Sequence, residues 1–222
     1  PPVVAAPVPQ PAAARHALLL VAVPAEGRAL LEELGDQKIK AEEDDRDGRY
    51  LDTFSLTNRS GDFRVIIGQC AEKGPQASQA LVQDLVRAYK PEIVLLVGMC
   101  GGLAEHGAKE LSVLVARQVF NYEPARLREG QALWSPTAYR TSARVTDLVN
   151  AIVRRNALPA IDVLTNKDYG AGEKLIDDLG SDLRQRILAA SGDIVGVEME
   201  GQGMLHALWE LQRTGTVVQA GM

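Results

Sequence analysis

The sequence predicts an α/β fold, a three-layer α/β/α sandwich whose central sheet is mixed and mostly parallel. Three observations predict it. The runs ALLLVAV at 17–23 and EIVLLV at 92–97 are apolar throughout, as strands are when helices cover both faces of their sheet. Such runs alternate with longer segments of helical character, the pattern of a parallel sheet built from crossover units. Glycines crowd the end of the second run, in LLVGMCGGLAEHG from Leu95 to Gly107. Glycine after a strand marks a place where backbone must approach something closely.

The elements follow in order. PPVVAAPVPQPAAAR, residues 1–15, is rich in Pro and Ala and reads as a linker or tail, because proline cannot continue a helix or a central strand. It predicts a domain joined to a neighbour on its N-terminal side, with the globular domain spanning 16–222. No basic stretch precedes an apolar core, so this is not a signal peptide. After the first strand, Glu26–Leu34 reads as a helix closed by Gly35, and the charged QKIKAEEDDRDGRY as a solvated loop or hairpin edge. Phe63–Ile67 is a strand. Pro75–Tyr89 is a helix with proline in its first turn, where its missing N–H costs nothing. Leu111–Phe120 is a strand, and a long loop containing Trp134 and two prolines reaches Tyr139. Then come a helix at Ser142–Asn156, a strand at Ile161–Leu164, a helix at Glu173–Ala190, a strand at Ile194–Val197, a helix at Glu200–Leu211 and a last strand at Thr216–Gln219. No internal repeat is present.

The 222 residues suffice for one such domain with a sizeable core. A hydrophobic fraction of 46% and a charged fraction of 24% are those of an ordinary globular protein. A net charge of −5 argues against a general nucleic-acid binder. No apolar stretch is long enough to span a bilayer, so no membrane partner is expected. Cys70 and Cys100 are far apart and fit neither a disulfide framework nor a zinc pattern. They read as small buried thiols of a reducing compartment, the cytoplasm. His16, His106 and His206 have no ligand spacing with one another or with the cysteines, so no metal is expected. No organic cofactor is implied either.

Three motifs carry possible chemistry. Gly98-x-x-Gly101-Gly102 is not a dinucleotide fingerprint, which opens a helix, and lacks the Gly-Lys-Ser/Thr of a Walker loop. On pattern alone it fits a tight structural turn and a ligand-facing loop equally. Its place at the carboxyl end of a central strand favours a ligand. Gly196-Val-Glu198-Met199-Glu200-Gly201 leads a strand into two carboxylates flanking a methionine. Such carboxylates answer the helix dipole or accept hydrogen bonds from sugar hydroxyls, with Met199 on the sugar's apolar face. Glu26, after the first strand, is a first-turn helix residue or a base near a ligand.

These pieces stand in one order: the first strand with its glutamate, GMCGGL, YGAGEKLIDD and VGVEMEG. In that order the chain resembles the nucleoside phosphorylase/nucleosidase superfamily from His16 onward. The likeness is nearest to methylthioadenosine/S-adenosylhomocysteine nucleosidases and to similar domains inside multidomain proteins. The resemblance implies a pocket for a purine nucleoside or nucleotide and cleavage of its N-glycosidic bond. It implies that Glu200 bonds the ribose hydroxyls, that Met199 and Glu198 belong with it to the ribose-binding set, Met199 packing on the sugar, and that Glu26 engages the attacking water. Met99, Cys100, Gly101 and Gly102 would line sugar and base, and Gly172, Leu175 and Ile176 the base. A homodimer is implied as well, with the Asn121–Tyr139 loop at the interface.

Departures from the family refine these expectations. Leu96 and Met99 stand where phosphorylases carry side chains that hold phosphate, and neither can donate a hydrogen bond to an anion. Hydrolysis is therefore expected over phosphorolysis. Leu111-Ser112 replaces the Gly-Asp usual before the next strand. The family's proton-donating Asp follows its last strand, whereas here no Asp follows Asp193, so a C-terminally incomplete domain is expected. A domain without that donor could also serve as an inactive nucleoside-sensing module.

Overall fold

The computed structural model describes residues 15–37, 39, 42–46, 49–58, 61–123, 125–128, 131–157, 159–174 and 180–222. The Pro/Ala-rich segment up to residue 14, Leu175 and Ile176 lie outside the described residues. The chain runs β1 (Arg15–Val21), α1 (Pro24–Asp36), β2 (Glu42–Arg46), β3 (Arg49–Asn58), β4 (Gly61–Gln69), α2 (Pro75–Tyr89), β5 (Ile93–Leu96) and β6 (Gly101–Gly102). It continues through a 3-10 turn (Ala104–His106), β7 (Val113–Asn121), β8 (Ala125–Arg128), β9 (Gln131–Trp134), β10 (Thr137–Arg140) and α3 (Ala143–Arg154). Then come β11 (Val163–Ala171), α4 (Asp182–Ala190), β12 (Ile194–Glu198), α5 (Gly201–Arg213) and β13 (Gln219–Gly221). Among the described residues no helix is long and apolar enough to cross a membrane.

The mixed, mostly parallel α/β architecture is present, and its strands fall into two sheets. One has the order β13-β5-β1-β4-β3-β2 and the other β10-β7-β11-β12-β6. In the first, β13, β5, β1 and β4 are mutually parallel, and the β2–β3 hairpin extends the edge antiparallel. In the second, β7, β11 and β12 are parallel, with β10 and β6 antiparallel at the two edges. The sheets meet at β13: Ala116 of β7 donates its N–H to the Met222 carbonyl at 3.0 Å, and Ser142 donates to the Ala220 carbonyl at 2.7 Å.

The apolar run of the first strand works as its composition dictates. Leu18 and Leu20, both fully buried, join a core with Leu81, Val82 and Leu85 of α2 and Met204 and Leu208 of α5. Ala17 and Val21 point the other way, into a cluster with Leu30, Leu31 and Leu34 of α1. Each fully buried leucine contributes ~1.5–3 kcal/mol of transfer free energy. A third cluster joins Leu103, Tyr122, Ile194 and Ile187 of α4. Helices α2 and α5 cross in direct contact. A β-carbon on Gly203 would stand 1.9 Å from the Pro75 carbonyl oxygen, so only glycine allows the crossing.

Several expected boundaries move, each for a local reason. β1 begins at Arg15, because Arg15 pairs with Phe63 and with Glu92. α1 starts at Pro24 and runs through Gly35 to Asp36, since Gly35 has no positive φ that would end it. The charged segment is a hairpin edge: β2 pairs with the amphipathic β3, which its charges obscure in sequence. Leu111 sits in a turn at φ 63 and is 92% exposed, so the next strand starts at Val113. The expected loop at 121–139 contains the β8–β9 hairpin and β10, four-residue strands too short to show a period of two. The expected helix at 173–190 begins only at Asp182, capped by Ser181 Oγ accepting from the Arg184 N–H at 3.2 Å. Glu173 and Lys174 are drawn away by tertiary partners, Gln76 for the first, Glu123 and the Tyr122 hydroxyl for the second. The strand expected at 161–164 runs instead from Val163 to Ala171, and the last strand falls at 219–221.

Candidate functional site

The carboxyl ends of the parallel strands of both sheets face one region, where open α/β folds place ligands. Glu26 is the third residue of α1. Its Oε2 accepts the N–H groups of Ala22 and Val23 at 2.8 and 3.1 Å. Its Oε1 accepts the N–H of Met99 at 2.8 Å, across from the loop after β5. A β-carbon on Gly98 would stand 2.5 Å from this Oε1. What approaches Gly98 closely is the carboxylate of Glu26. Three of the roughly four lone-pair sites of the carboxylate are occupied, leaving about one for an incoming hydrogen bond.

The loop then turns back into the structure. Gly101 and Gly102 form β6 against Val197 and Gly196 of β12. Met99 is 76% exposed at the rim, whereas Leu96 packs on the core, so neither side chain is available to bind an anion. Cys100 lies against Gly196 and Tyr169, and burial raises its thiol pKa.

At the end of β12 the two glutamates part company. Glu200 is buried, and its Oε1 accepts the N–H of Gly74, just before α2, at 2.8 Å. Its carbonyl accepts the hydroxyl of the fully buried Ser78 at 2.7 Å. Glu200 Oε2 has no partner among the described residues. Glu198 bends toward the helix instead: its Oε2 accepts the N–H groups of Glu200 and Gly201 at 2.7 and 2.6 Å. Its Oε1 is buried with no hydrogen-bond partner among the described residues. Burial, opposed by those two bonds, pushes the Glu198 carboxyl up to about 7. Met199, between them, is half-buried.

Cys70, at the end of β4, lies on the floor of this region. Its thiol is pushed up to about 11, first by burial and then by the charges of Glu200 and Glu26. The charges of both carboxylates thus act on the same buried sulfur. On the second sheet, Gly172 donates its N–H to the Glu198 carbonyl at 3.3 Å. Glu123 Oε1 lies 2.9 Å from where a β-carbon on Gly172 would stand, buried and without a hydrogen-bond partner among the described residues.

The structure therefore brings together Glu26, Met99, Cys100, Glu198, Met199, Glu200 and Gly172 at the strand ends. Gly74, Ser78, Cys70 and Glu123 belong with them and carry no signal of their own in the sequence. A glycine before a helix, a serine within one, a lone thiol and a lone carboxylate are each ordinary. A cleft of about 440 Å³ lies elsewhere, at the entry to β13 among Arg140, Ser142, Gln212 and Gln219, and none of the described site residues lines it.

No family model and no curated protein matches this sequence. Solved structures do match it. An S-adenosylhomocysteine nucleosidase from Streptococcus pyogenes superposes with a TM-score of 0.68 at 18% identity, over 94% of this chain and 81% of that one. The chain has the nucleosidase fold. The 5′-methylthioadenosine/S-adenosylhomocysteine nucleosidase of Helicobacter pylori gives a TM-score of 0.66 at 19% identity, over 94% and 83% of the two chains. The futalosine hydrolase of the same organism gives 0.65 at 18%, over 93% and 82%. The nucleosidase fold accounts for the arrangement seen here, with a β13-to-β7 junction that turns the strand ends of two sheets toward one region.

Proposed function

We propose that this chain hydrolyses the N-glycosidic bond of a purine nucleoside or nucleotide. The observation that carries the reading is the state of Glu200. One carboxylate oxygen is fixed by Gly74, and the other is free to accept the vicinal hydroxyls of a ribose, with Met199 beside it. Glu26, held by three backbone N–H groups near the same thiol, is placed to orient a water molecule. The oxygen of that water bonds to the anomeric carbon as the C–N bond breaks. The bonding electrons leave with the base; the attacking water gives up one proton to solvent, and the base takes up one proton from solvent. Two fixed carboxylates stabilise the oxocarbenium-like charge that develops on the sugar. The carboxylates Glu26 and Glu200 are the catalytic and ribose-binding residues of this reading, with Gly172 on the side of the base. We place the protein in the cytoplasm as a homodimer joined to a further domain through the Pro/Ala-rich segment.

Water, not phosphate, is the nucleophile, because Leu96 lies in the core and Met99 offers no donor. The deciding experiment is chromatography of free base released from 5′-methylthioadenosine and adenosine, with and without phosphate. Adenine release independent of phosphate supports the proposal. Release that rises with phosphate and yields ribose 1-phosphate replaces it with phosphorolysis. Calorimetric binding without release replaces it with a nucleoside-sensing role.

A further inference from the structure

Glu198 and Glu200 differ by two positions and do different work. The carboxylate of Glu198 spends one oxygen on the first N–H groups of α5, those of Glu200 and Gly201. Both bonds are short and charge-assisted, the strong class of hydrogen bond. The N–H of Glu200 is the start of the residue whose side chain holds Gly74, and whose carbonyl holds Ser78. Without the Glu198 bond, the backbone of Glu200 would be anchored from one side only. The other oxygen of Glu198 is buried, so it offers nothing to solvent.

We infer that Glu198 is a positioning residue: through the Glu200 and Gly201 N–H groups it fixes the turn that aims Glu200 at the ribose. This rests on the reading of Glu200 as the ribose ligand, and it moves Glu198 out of direct sugar contact. The groups that face Glu198 are Glu200 on α5, Tyr122 after β7, Tyr169 on β11 and Cys100 after β5. The pKa values of both tyrosines and of the thiol are raised, so these groups stay neutral near pH 7, and Glu200 is the charged neighbour. With its carboxyl near pH 7, Glu198 loses its charge under mildly acidic conditions and holds the turn less firmly. The KM of the wild-type protein therefore rises as pH falls, while kcat follows other groups.

The test compares wild type, Glu198→Ala and Glu198→Gln in two measurements. The first is hydrogen exchange at the Gly74 and Gly201 amides in the ligand-free protein, with the amides of β1 as reference. The second is KM and kcat for 5′-methylthioadenosine from mildly acidic to mildly alkaline pH. Glu198→Ala is expected to speed exchange at Gly74 and Gly201 about tenfold relative to β1. It is expected to raise KM about tenfold, with kcat changed less than about threefold. Glu198→Gln keeps an acceptor for both N–H groups, so it retains most of the protection and flattens the KM profile. Unchanged exchange in Glu198→Ala overturns the inference, as does an undiminished pH dependence of KM in Glu198→Gln. Should Glu198→Ala fail to fold, the Glu198→Gln arm decides. A wild-type protein that leaves 5′-methylthioadenosine intact rejects the hydrolytic reading alone, and the exchange measurement still decides the role of Glu198.

Discussion

The carboxylate of Glu200 and the backbone N–H of Gly74 meet at 2.8 Å, joining the end of β12 to the start of α2. One side chain thereby ties the end of a strand in the second sheet to the helix that follows β4. Glu200→Gln keeps an acceptor for Gly74 and removes the charge offered to ribose. Loss of one charge-assisted bond is worth about 1.5–3 kcal/mol, so KM for 5′-methylthioadenosine should rise at least about tenfold. Thermal unfolding should change little. An unaltered KM would show that Glu200 does not hold the ribose.

Glu26 serves both the turn after β1 and the loop at Met99. Glu26→Gln preserves its length and one acceptor. The expected result is a fall in kcat of about 10²–10⁴-fold with a smaller change in KM, read from steady-state kinetics. Glu26→Ala in addition leaves three N–H groups without their acceptor and should cost about 1–3 kcal/mol in denaturant unfolding.

Away from the site, Asp168 is fully buried and holds Arg117 through two bonds of 2.9 and 2.8 Å, with Gln118 and Ser191 completing its shell. Asp168→Ala breaks a pair whose other member is 44% exposed. Arg117 can therefore rehydrate in part, and a loss of about 3 kcal/mol is expected, at the low end for buried pairs. Urea unfolding monitored by circular dichroism measures it. A loss below about 1 kcal/mol would mean that Arg117 is fully rehydrated.

Glu198 also sets a stability trend with pH. Its carboxyl rises from an ordinary 4.5 to about 7 on folding, chiefly by burial. The folded state thus binds this proton more tightly than the unfolded state does. Stability contributed by the group is full below about 4.5 and is lost as pH rises through 7. The unfolding midpoint of the wild type should fall over that window relative to that of Glu198→Gln, which carries no titrating group there. Parallel midpoints across the window would contradict the assignment.

Much of this was legible in the sequence because apolar runs and glycines report burial and close approach directly. α2 matches its expected span of Pro75–Tyr89, and the run at 92–97 gave β5 with Val94 fully buried. Short strands were not legible: ARLR, QALW and TAYR contain too few residues to establish a period, and pairing partners decide them. At Glu173 and Lys174 the local helical signal is overridden by Gln76, Glu123 and Tyr122, which are distant in sequence. At the site, VEMEG revealed that two carboxylates were present but not which way each turns. That division depends on Gly74 and on the first N–H groups of α5, and no local pattern encodes it.

The junction at β13 has a consequence for how the molecule is made. Residues 219–221 add to β5, Met222 reaches β7, and Ala220 receives Ser142 at the start of α3. Everything from β1 to β12 must therefore be made before the two sheets can lock. Until then β5 presents an open apolar edge, and the strand ends that form the site have no fixed relation to each other. Folding should be slow and late, governed by the closure of one long loop. A chaperone-dependent yield would be its visible sign during expression.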